Sequence, residues 1–333
     1  MHFHFNDWLL EVSIIIPAYN AAKFIGRALN AAVASARQVN GRVEILAIDN
    51  NSADDTLSQL HGIAERHPGL IKVQSCIKPG ACAARNQGLR SSSGKWIQYL
   101  DADDTIHPDK IAHQLAVSRE ASWVVGGYRH CFADGEIEDV LPSANLWKGL
   151  YHGFQTGHTI SNLIQRSTLE KVGGWNEDLA SNQDPELHFR LLKASTPYVL
   201  DNQVYSYYYH DDRPERIINT LPGKRYASRL RMLMEANDYL KKERPAIWEL
   251  DRAYFLGATL VVLRQLATYD LAAAERAYDQ FLTGSYSEDN LPRLELVSQY
   301  TRLYPYLGFR NLERLRLALA GVIPQELKRI LKS

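Results

Sequence analysis

The sequence predicts an α/β protein: a doubly wound, mostly parallel sheet with helices on both faces, followed by an all-helical region. Two observations support this prediction. β-branched runs alternate with segments of helical periodicity four times between residues 12 and 101, the pattern of successive βαβ units. From about Arg216 onward, helical periodicity continues with almost no strand-like alternation. A chain of 333 residues is long enough for two domains, and we place them at residues 1–214 and 215–333.

The predicted strands are four short apolar runs at residues 12–17, 43–49, 71–74 and 96–101. Such runs are typical of parallel strands, because helices cover both of their faces. The helices between them are predicted at residues 24–32, 56–66 and 83–90. In sheets of this class, ligands bind beyond the carboxyl ends of the strands. Pro17, Asp49 and Asp101 lie at three of these ends, so we expect the functional site there.

The C-terminal region contains four segments with helical periodicity, at residues 230–240, 250–266, 271–281 and 309–323. Its charge also differs from that of the first region. Residues 215–333 contain 19 basic and 14 acidic side chains, whereas residues 1–214 contain 19 basic and 24 acidic ones. The two regions are therefore electrostatically distinct.

The overall composition excludes several classes of protein. The 38 basic and 38 acidic residues give a formal net charge of zero, which argues against binding nucleic acid through bulk positive charge. Cys76, Cys82 and Cys131 are too few and too irregularly spaced for a disulfide framework or a four-ligand zinc site, so a reducing compartment is expected. The first ten residues lack the features of a secretory signal, and no apolar stretch approaches the roughly 20 residues that span a bilayer. We therefore expect a cytoplasmic protein.

Three acidic residues, Asp101, Asp103 and Asp104, directly follow the fourth predicted strand. Two carboxylates separated by one residue at a strand end are ligands that hard divalent cations prefer. The alternative is that acidic residues in such a loop are solvated or cap the next helix, as Asp104 or Asp109 would. The position at the end of a strand favours a metal site.

Several blocks, in order along the chain, resemble the signatures of family 2 glycosyltransferases, which have the GT-A fold. The blocks are VSIIIPAYN at residues 12–20, IDNNSADDT at 48–56, GACAARNQGL at 80–89, YLDADD at 99–104, and GGWNED at 173–178 followed by QDPEL at 183–187. The likeness covers roughly residues 10–215. It implies an inverting glycosyltransferase that uses Mn²⁺ or Mg²⁺, a nucleotide-sugar donor that we expect to be a UDP-sugar, and a saccharide or lipid-linked acceptor.

The resemblance also implies which residues bind the nucleotide. Asp49 would accept a hydrogen bond from the imide N–H of uracil, although it could instead cap the following helix. The residues that would flank the base are Pro17, Ala18, Tyr19 and Asn20. Alternatively, Tyr19 is an ordinary aromatic residue at the edge of the core. The residues that would contact the ribose or diphosphate are Gly80, Arg85, Asn86 and Asp101, with Arg85 otherwise an ordinary surface arginine.

The same resemblance implies which residues bind the metal and which residue transfers the proton. Asp103 would bind the metal directly, and His210 would bind the metal or diphosphate unless it is structural. Asp184 would be the general base, with Glu186 as the competing carboxylate. Gln183 departs from the family, which most often has glutamate there. The basic pair Arg213 and Arg216 would close over the diphosphate, or be solvated loop charges.

Two other functions and one membrane contact stay open at this level. A nucleotidyltransferase would normally show a glycine-rich, basic first loop, which residues 17–22 lack. A catalytically silent sugar-nucleotide-binding protein would not need Asp101, Asp103 and Asp184 together. The segment 309–332 has an apolar stripe at helical spacing, Phe309, Leu312, Leu315, Leu319, Val322 and Ile323, and six basic residues, Arg310, Arg314, Arg316, Lys328, Arg329 and Lys332. It would either lie on the inner face of an anionic membrane, near a lipid-linked acceptor, or pack on neighbouring helices.

Overall fold

The structure is a computed structural model, and it describes residues 10–152, 155–209, 222–285, 296 and 303–320. The chain divides into two compact units, Met1–Asp212 and Arg213–Ser333. The boundary predicted at residue 214 falls in a stretch outside the described residues and stays a prediction.

The described part of the first unit alternates strands and helices. Its strands are β1 (Leu10–Ala18), β2 (Arg42–Asp49), β3 (Ile71–Ser75), β4 (Trp96–Tyr99), β5 (Thr105–Ile106), β6 (Trp123–Cys131), β7 (Ile137–Val140), β8 (Leu163–Gln165) and β9 (Tyr198–Tyr209). Its helices are α1 (Ile25–Ala36), α2 (Thr56–Glu65), α3 (Ala81–Ser91), α4 (Lys110–Ser118), α5 (Leu146–Tyr151), α6 (Arg166–Lys171) and α7 (Gln183–Lys193). The four strands and three helices predicted between residues 12 and 101 are confirmed.

One sheet joins these strands in the order β3-β2-β1-β4-β8-β6-β9-β5, with β7 paired to β6. Strands β1 to β4 pair in parallel, as the sequence predicts. Beyond β4 the sheet is mixed, because β8 is antiparallel to both β4 and β6, while β6 and β9 run in parallel. The parallel half and the mixed half meet between β4 and β8.

The central strands of the parallel half, β1, β2 and β4, are buried on both faces, which explains their apolar runs. In β1, Val12, Ile14, Ile15 and Ile16 have no exposed surface. Helix α3 lies so close to this strand that a Cβ on Gly88 would be 2.4 Å from Ile15. This close packing fixes α3 against the face of the sheet at β1.

The described part of the second unit is helical, as predicted. Its helices are α8 (Pro222–Glu243), α9 (Pro245–Ala267), α10 (Leu271–Ser285), α11 (Tyr304–Leu307) and α12 (Phe309–Ala320). No helix within the described residues is long and apolar enough to cross a membrane.

Helix α12 divides the apolar stripe that the sequence predicts into two parts. Phe309 stacks on Tyr278 with ring centroids 4.4 Å apart, and Leu312 is also buried. Leu315 and Leu319 are instead 50% and 40% exposed. The rest of the predicted stripe, Val322 and Ile323, and the basic residues Lys328, Arg329 and Lys332 lie outside the described residues.

Candidate active site

The loops that follow β1 and β2 are joined by hydrogen bonds at the carboxyl end of the sheet. The Asn50 N–H donates to the Ala18 carbonyl at 2.8 Å, and the Ala53 N–H donates to Asn20 Oδ1, also at 2.8 Å. Asn20 adopts a positive φ of 46°, and the Tyr19 side chain beside it is 64% exposed. Of the residues predicted to flank a base, Tyr19 therefore presents an aromatic ring to solvent and is not a core residue.

Asp49 ends β2 and is only 3% exposed, yet its Oδ1 has no hydrogen-bond partner within the described residues. Its Oδ2 accepts from the Ser52 N–H at 3.4 Å. Asp49 does not cap the next helix, since Asp54 accepts the hydrogen bond from the Thr56 N–H at 3.0 Å. A buried carboxylate oxygen without a protein donor is suited to accept a hydrogen bond from a ligand.

Gly80 precedes α3 with a φ of 117°, a conformation that side chains rarely adopt. Asn50 fixes this turn: its amide donates to the Lys78 carbonyl at 2.7 Å, and its Oδ1 accepts from the Gly80 N–H at 2.7 Å. The Gly80 N–H is therefore bonded to Asn50, and the predicted contact of Gly80 with the ribose or diphosphate stays a prediction.

Arg85 lies one turn into α3 and is 5% exposed, which excludes the surface-arginine alternative. Its guanidinium donates to Asp101 Oδ1 at 2.7 Å and to Gln183 Oε1 at 2.9 Å, and it stacks on the Trp175 ring at 4.6 Å. Burial lowers the pKa of Arg85, but the nearby carboxylates of Asp101 and Asp184 outweigh it and raise that pKa. Arg85 is thus a buried, permanent cation between two acidic residues.

Asn86, predicted to contact the nucleotide, binds the protein instead. Its amide group donates to the Trp175 carbonyl at 2.8 Å and to Glu177 Oε1 at 2.7 Å, and its Oδ1 accepts from the Trp175 N–H at 2.8 Å. These contacts use both N–H groups of the amide, which argues against the predicted contact. Asn86 fixes the segment that carries Trp175 over Arg85.

Asp101, Asp104 and His158 form the group in which a metal ion fits among the described residues. One ligand atom from each lies within 4.8 Å of the others. Asp104 is fully buried: its N–H donates to the Asp101 carbonyl at 3.1 Å, and its Oδ1 accepts from the Tyr209 N–H at 2.9 Å. The sequence assigned direct ligation to Asp103, which does not belong to this group; its carbonyl accepts from Arg27. The other predicted ligand, His210, and the predicted lid residues Arg213 and Arg216 lie outside the described residues.

Asp184 lies in the first turn of α7, half-buried. Burial raises its pKa, but the neighbouring His158, Arg85 and His188 and a hydrogen bond from the Thr159 hydroxyl together lower it. It is therefore ionised near neutral pH, as a general base must be.

The competing carboxylate of Glu186 points to a different partner. Both of its oxygens accept from Arg190 at 2.8 Å. A carboxylate paired in this bidentate way is poorly placed to take a proton from a substrate. Asp184 is thus the better candidate of the two.

The sequence reasoning missed three residues here: His158, Thr159 and His188. All three are buried, and they come from the segment TGHTISN at residues 156–162 and from the second turn of α7. A run of polar residues directly before a strand was the available signal, but nothing in its spacing indicates that it is buried.

Comparison with known sequences identifies relatives of the first unit. Residues 13–168 match the family model described as Glycosyl transferase family 2. An uncharacterized glycosyltransferase of Rickettsia felis is 26% identical over 231 residues, which are 64% of this chain and 36% of that protein. The chain thus spans about a third of the length of this relative. Glycosyltransferase AglE of Haloferax volcanii is 25% identical over 253 residues, 72% of this chain and 75% of AglE.

Comparison with solved structures confirms the predicted fold class. TarS of S. aureus, residues 1–349, in complex with UDP-GlcNAc has a TM-score of 0.57 at 16% identity, over 92% of this chain and 91% of that one. Mannosyltransferase PcManGT of Pyrobaculum calidifontis, in complex with GDP-Man and Mn²⁺, has a TM-score of 0.51 at 16% identity, over 94% and 88% of the two chains. At these identities the likeness concerns the fold.

Proposed function

Because residues 13–168 belong to glycosyl transferase family 2, we propose that the chain is a metal-dependent, inverting glycosyltransferase. It transfers a sugar from a nucleotide-sugar, a UDP-sugar, to an acceptor hydroxyl. TarS and PcManGT, both of the same fold, were solved with UDP-GlcNAc and with GDP-Man and Mn²⁺, which supports a nucleotide-sugar donor.

The observation that carries this proposal is the position of Arg85 between two functional groups. Its guanidinium bonds Asp101 of the metal-binding group on one side and Gln183, next to Asp184, on the other. A leaving-group site and a base must lie on opposite sides of one reacting carbon in an inverting transfer. The buried cation keeps the two acidic sites close together without mutual repulsion.

The residues present suit a divalent cation. Two carboxylates and an imidazole with ligand atoms within 4.8 Å of one another are an oxygen-rich donor set of the kind that Mn²⁺ takes, with Mg²⁺ as the second candidate. Asp101, Asp104 and His158 would hold the ion. When bound, it supplies positive charge that stabilises the nucleoside diphosphate as it leaves.

The base in the proposed reaction is Asp184. It removes the proton of the acceptor hydroxyl while the acceptor oxygen forms a bond to the anomeric carbon of the donor sugar. The bond between that carbon and the diphosphate oxygen breaks, and its electron pair leaves with the diphosphate. Attack from the opposite face inverts the configuration at the anomeric carbon.

Asp49 is the proposed contact to the nucleobase. Its unpartnered Oδ1 accepts from the imide N–H of uracil. The exposed ring of Tyr19 directly follows the end of β1, the strand that pairs with β2. The acceptor at Asp49 supports a base with a ring N–H donor, such as uracil, over adenine or cytosine, whose ring nitrogens on that edge are acceptors.

The proposed function is tested by incubating the full chain with UDP-GlcNAc, UDP-glucose and GDP-mannose, each with Mn²⁺, with Mg²⁺ and with EDTA. We expect that UDP is released from its sugar donor with water as the acceptor, and that this release requires the cation. Release of nucleoside diphosphate from none of the donors, despite measurable UDP binding, would favour a silent sugar-nucleotide-binding protein. Incorporation of a nucleoside monophosphate into product would instead indicate a nucleotidyltransferase.

A further inference from the structure

The loop at residues 156–162 is unusual because its polar side chains are buried. Thr156, Thr159, Ser161 and Asn162 are each at most 4% exposed, and His158 is 8% exposed. Loops normally lie on the surface, where water satisfies their polar groups. Buried polar groups need protein partners, so this loop must be held by its surroundings.

Three different elements hold the backbone of the loop. Gln98 of β4 and Ser206 of β9 both donate to the Ile160 carbonyl, at 2.9 and 3.1 Å. Gln114 of α4 donates to the Ser161 carbonyl at 3.0 Å. The loop is therefore fixed from the sheet and from the helix beside it.

His188 of α7 holds the loop from a further direction. Its Nε2 accepts from the Asn162 amide at 3.0 Å, so its Nδ1 carries the proton and donates to the Thr156 hydroxyl at 2.8 Å. The Asn162 amide also donates to the Thr156 carbonyl at 3.3 Å, which supports this orientation. A side chain at Gly157 would collide with Asn162, since its Cβ would lie 2.4 Å from Oδ1.

Two adjacent residues of this loop, His158 and Thr159, reach the two halves of the candidate site. His158 contributes to the metal-binding group with Asp101 and Asp104. The Thr159 hydroxyl donates to Asp184 Oδ1. One peptide bond thus links the metal-binding group to the proposed base.

We propose that Thr159 is a positioning residue for the base: its hydroxyl holds one carboxylate oxygen of Asp184, so that the other oxygen faces the acceptor hydroxyl. This inference rests on the proposed function. A carboxylate rotates about its Cβ–Cγ bond, and a donor on one oxygen restricts that rotation. Because the 156–162 loop is itself fixed by β4, β9, α4 and α7, the restriction is transmitted to a rigid part of the protein.

The test compares Thr159→Val, which removes the hydroxyl and keeps the shape, with Thr159→Ser, which keeps the hydroxyl. With UDP-GlcNAc, or whichever donor of the panel the wild type turns over, and Mn²⁺, we expect the valine variant to lower kcat about 10- to 100-fold, with the KM for the donor within about twofold of wild type. The serine variant should recover most of the rate. Thr168→Val on α6 is the matched control and should leave kcat unchanged.

UDP binding and thermal unfolding are measured in parallel for each variant. If Thr159→Val does not fold, Thr159→Ala removes the same hydroxyl with a smaller side chain. The comparison of Thr159→Ala with Thr159→Ser then replaces that of Thr159→Val with Thr159→Ser. The inference is overturned if the folded variant without the hydroxyl keeps the wild-type kcat. It is also overturned if the KM for the donor rises by as much as kcat falls. A wild-type chain that hydrolyses no donor overturns the proposed function instead, and the two failures are thereby distinguished.

Discussion

Asp184 and Glu186 lie two residues apart on the first turn of α7, yet their surroundings give them different chemistry. Asp184 is held by the Thr159 hydroxyl, whereas both oxygens of Glu186 are taken by Arg190. Sequence alone offered both as bases. The ion pair is what separates them, because it occupies the oxygens that would have to receive a proton.

Replacement of the base should therefore be far more damaging than replacement of its neighbour. Asp184→Asn keeps the volume of the side chain but cannot accept the proton, so kcat should fall by about 10² to 10⁴ while UDP binding stays near wild type. Glu186→Gln is the control and should retain most of the rate. Steady-state kinetics and calorimetric UDP titration measure both. A Glu186→Gln variant that loses more activity than Asp184→Asn would transfer the role of base to Glu186.

The metal-binding group allows a second comparison between close neighbours, Asp103 and Asp104. Asp104→Asn should weaken UDP binding with Mn²⁺ present much more than with EDTA present, because the metal mediates the contact. Asp103→Asn should change the two measurements little. Asp49→Ala should weaken UDP binding equally in both, since its proposed partner is the base. A larger Mn²⁺-dependent loss for Asp103→Asn would restore the ligand that the sequence predicted.

At the scale of elements, α7 carries Asp184 and His188 on one face, one turn apart. Burial lowers the pKa of His188 to about 4, although the Asp184 carboxylate opposes that shift. The folded protein therefore keeps this imidazole neutral, as its two hydrogen bonds to the 156–162 loop require. α7 thus supplies both the proposed base and a support for the loop that positions it.

This arrangement predicts a pH dependence of stability. Between the ordinary histidine pKa of 6.5 and about 4, the unfolded chain binds a proton at His188 that the folded chain does not. The free energy of unfolding should accordingly fall as the pH drops through this window, by up to about 3 kcal/mol from this group. Urea unfolding of the wild type and of His188→Gln at about pH 7 and about pH 4.5 measures it. An equally steep loss in the variant would show that other groups cause the decline.

The sequence predicted the parallel half of the sheet well and the mixed half poorly. Strands β1, β2 and β4 are largely apolar on both faces, so their runs are recognisable without tertiary information. Strand β6 contains Gly126 and Gly127 and ends in polar residues, and β9 combines polar side chains with a final run of three tyrosines. Neither strand stands out as an apolar run by composition, and β9 is only partly buried.

The same distinction applies to the site. The motifs in the sequence proposed four of the site residues, Asp49, Arg85, Asp101 and Asp184. Asp49 and Asp101 lie at the carboxyl end of the sheet, and Arg85 bonds Asp101 and the neighbour of Asp184. His158 and Thr159 could not be identified, since their roles depend on a buried loop whose partners come from β4, β9, α4 and α7. Choosing between Asp103 and Asp104 also needed the turn geometry, as the D-x-D-D spacing is compatible with either.

At the scale of the whole molecule, the exposed leucines of α12 bear on where the protein would act. Leu315 and Leu319 face solvent beside the exposed Arg314, while Phe309 and Leu312 pack inside the second unit. An apolar strip flanked by arginine suits a peripheral contact with an anionic membrane, where a lipid-linked acceptor would be found.

Liposome flotation tests this contact without disturbing the core of the second unit. We expect the full chain to float with anionic vesicles at low salt, and the double variant Leu315→Gln, Leu319→Gln to float much less. Neutral vesicles are the control for charge. Equal flotation of both proteins, or none for the wild type, would leave α12 as an ordinary surface helix.

The junction between β4 and β8 also bears on how proteins of this architecture change their specificity. Residues proposed to bind the nucleotide follow β1, β2, β3 and β4 of the parallel half, whereas Thr159 and Asp184 come from segments around the mixed half, as does His158 of the metal-binding group. We expect that exchange of a contiguous stretch of chain after Asp104, with His158 retained, changes the acceptor while the nucleotide-binding loops stay unchanged. Chimeras joined at this point should keep the nucleotide preference of one parent and take the acceptor preference of the other.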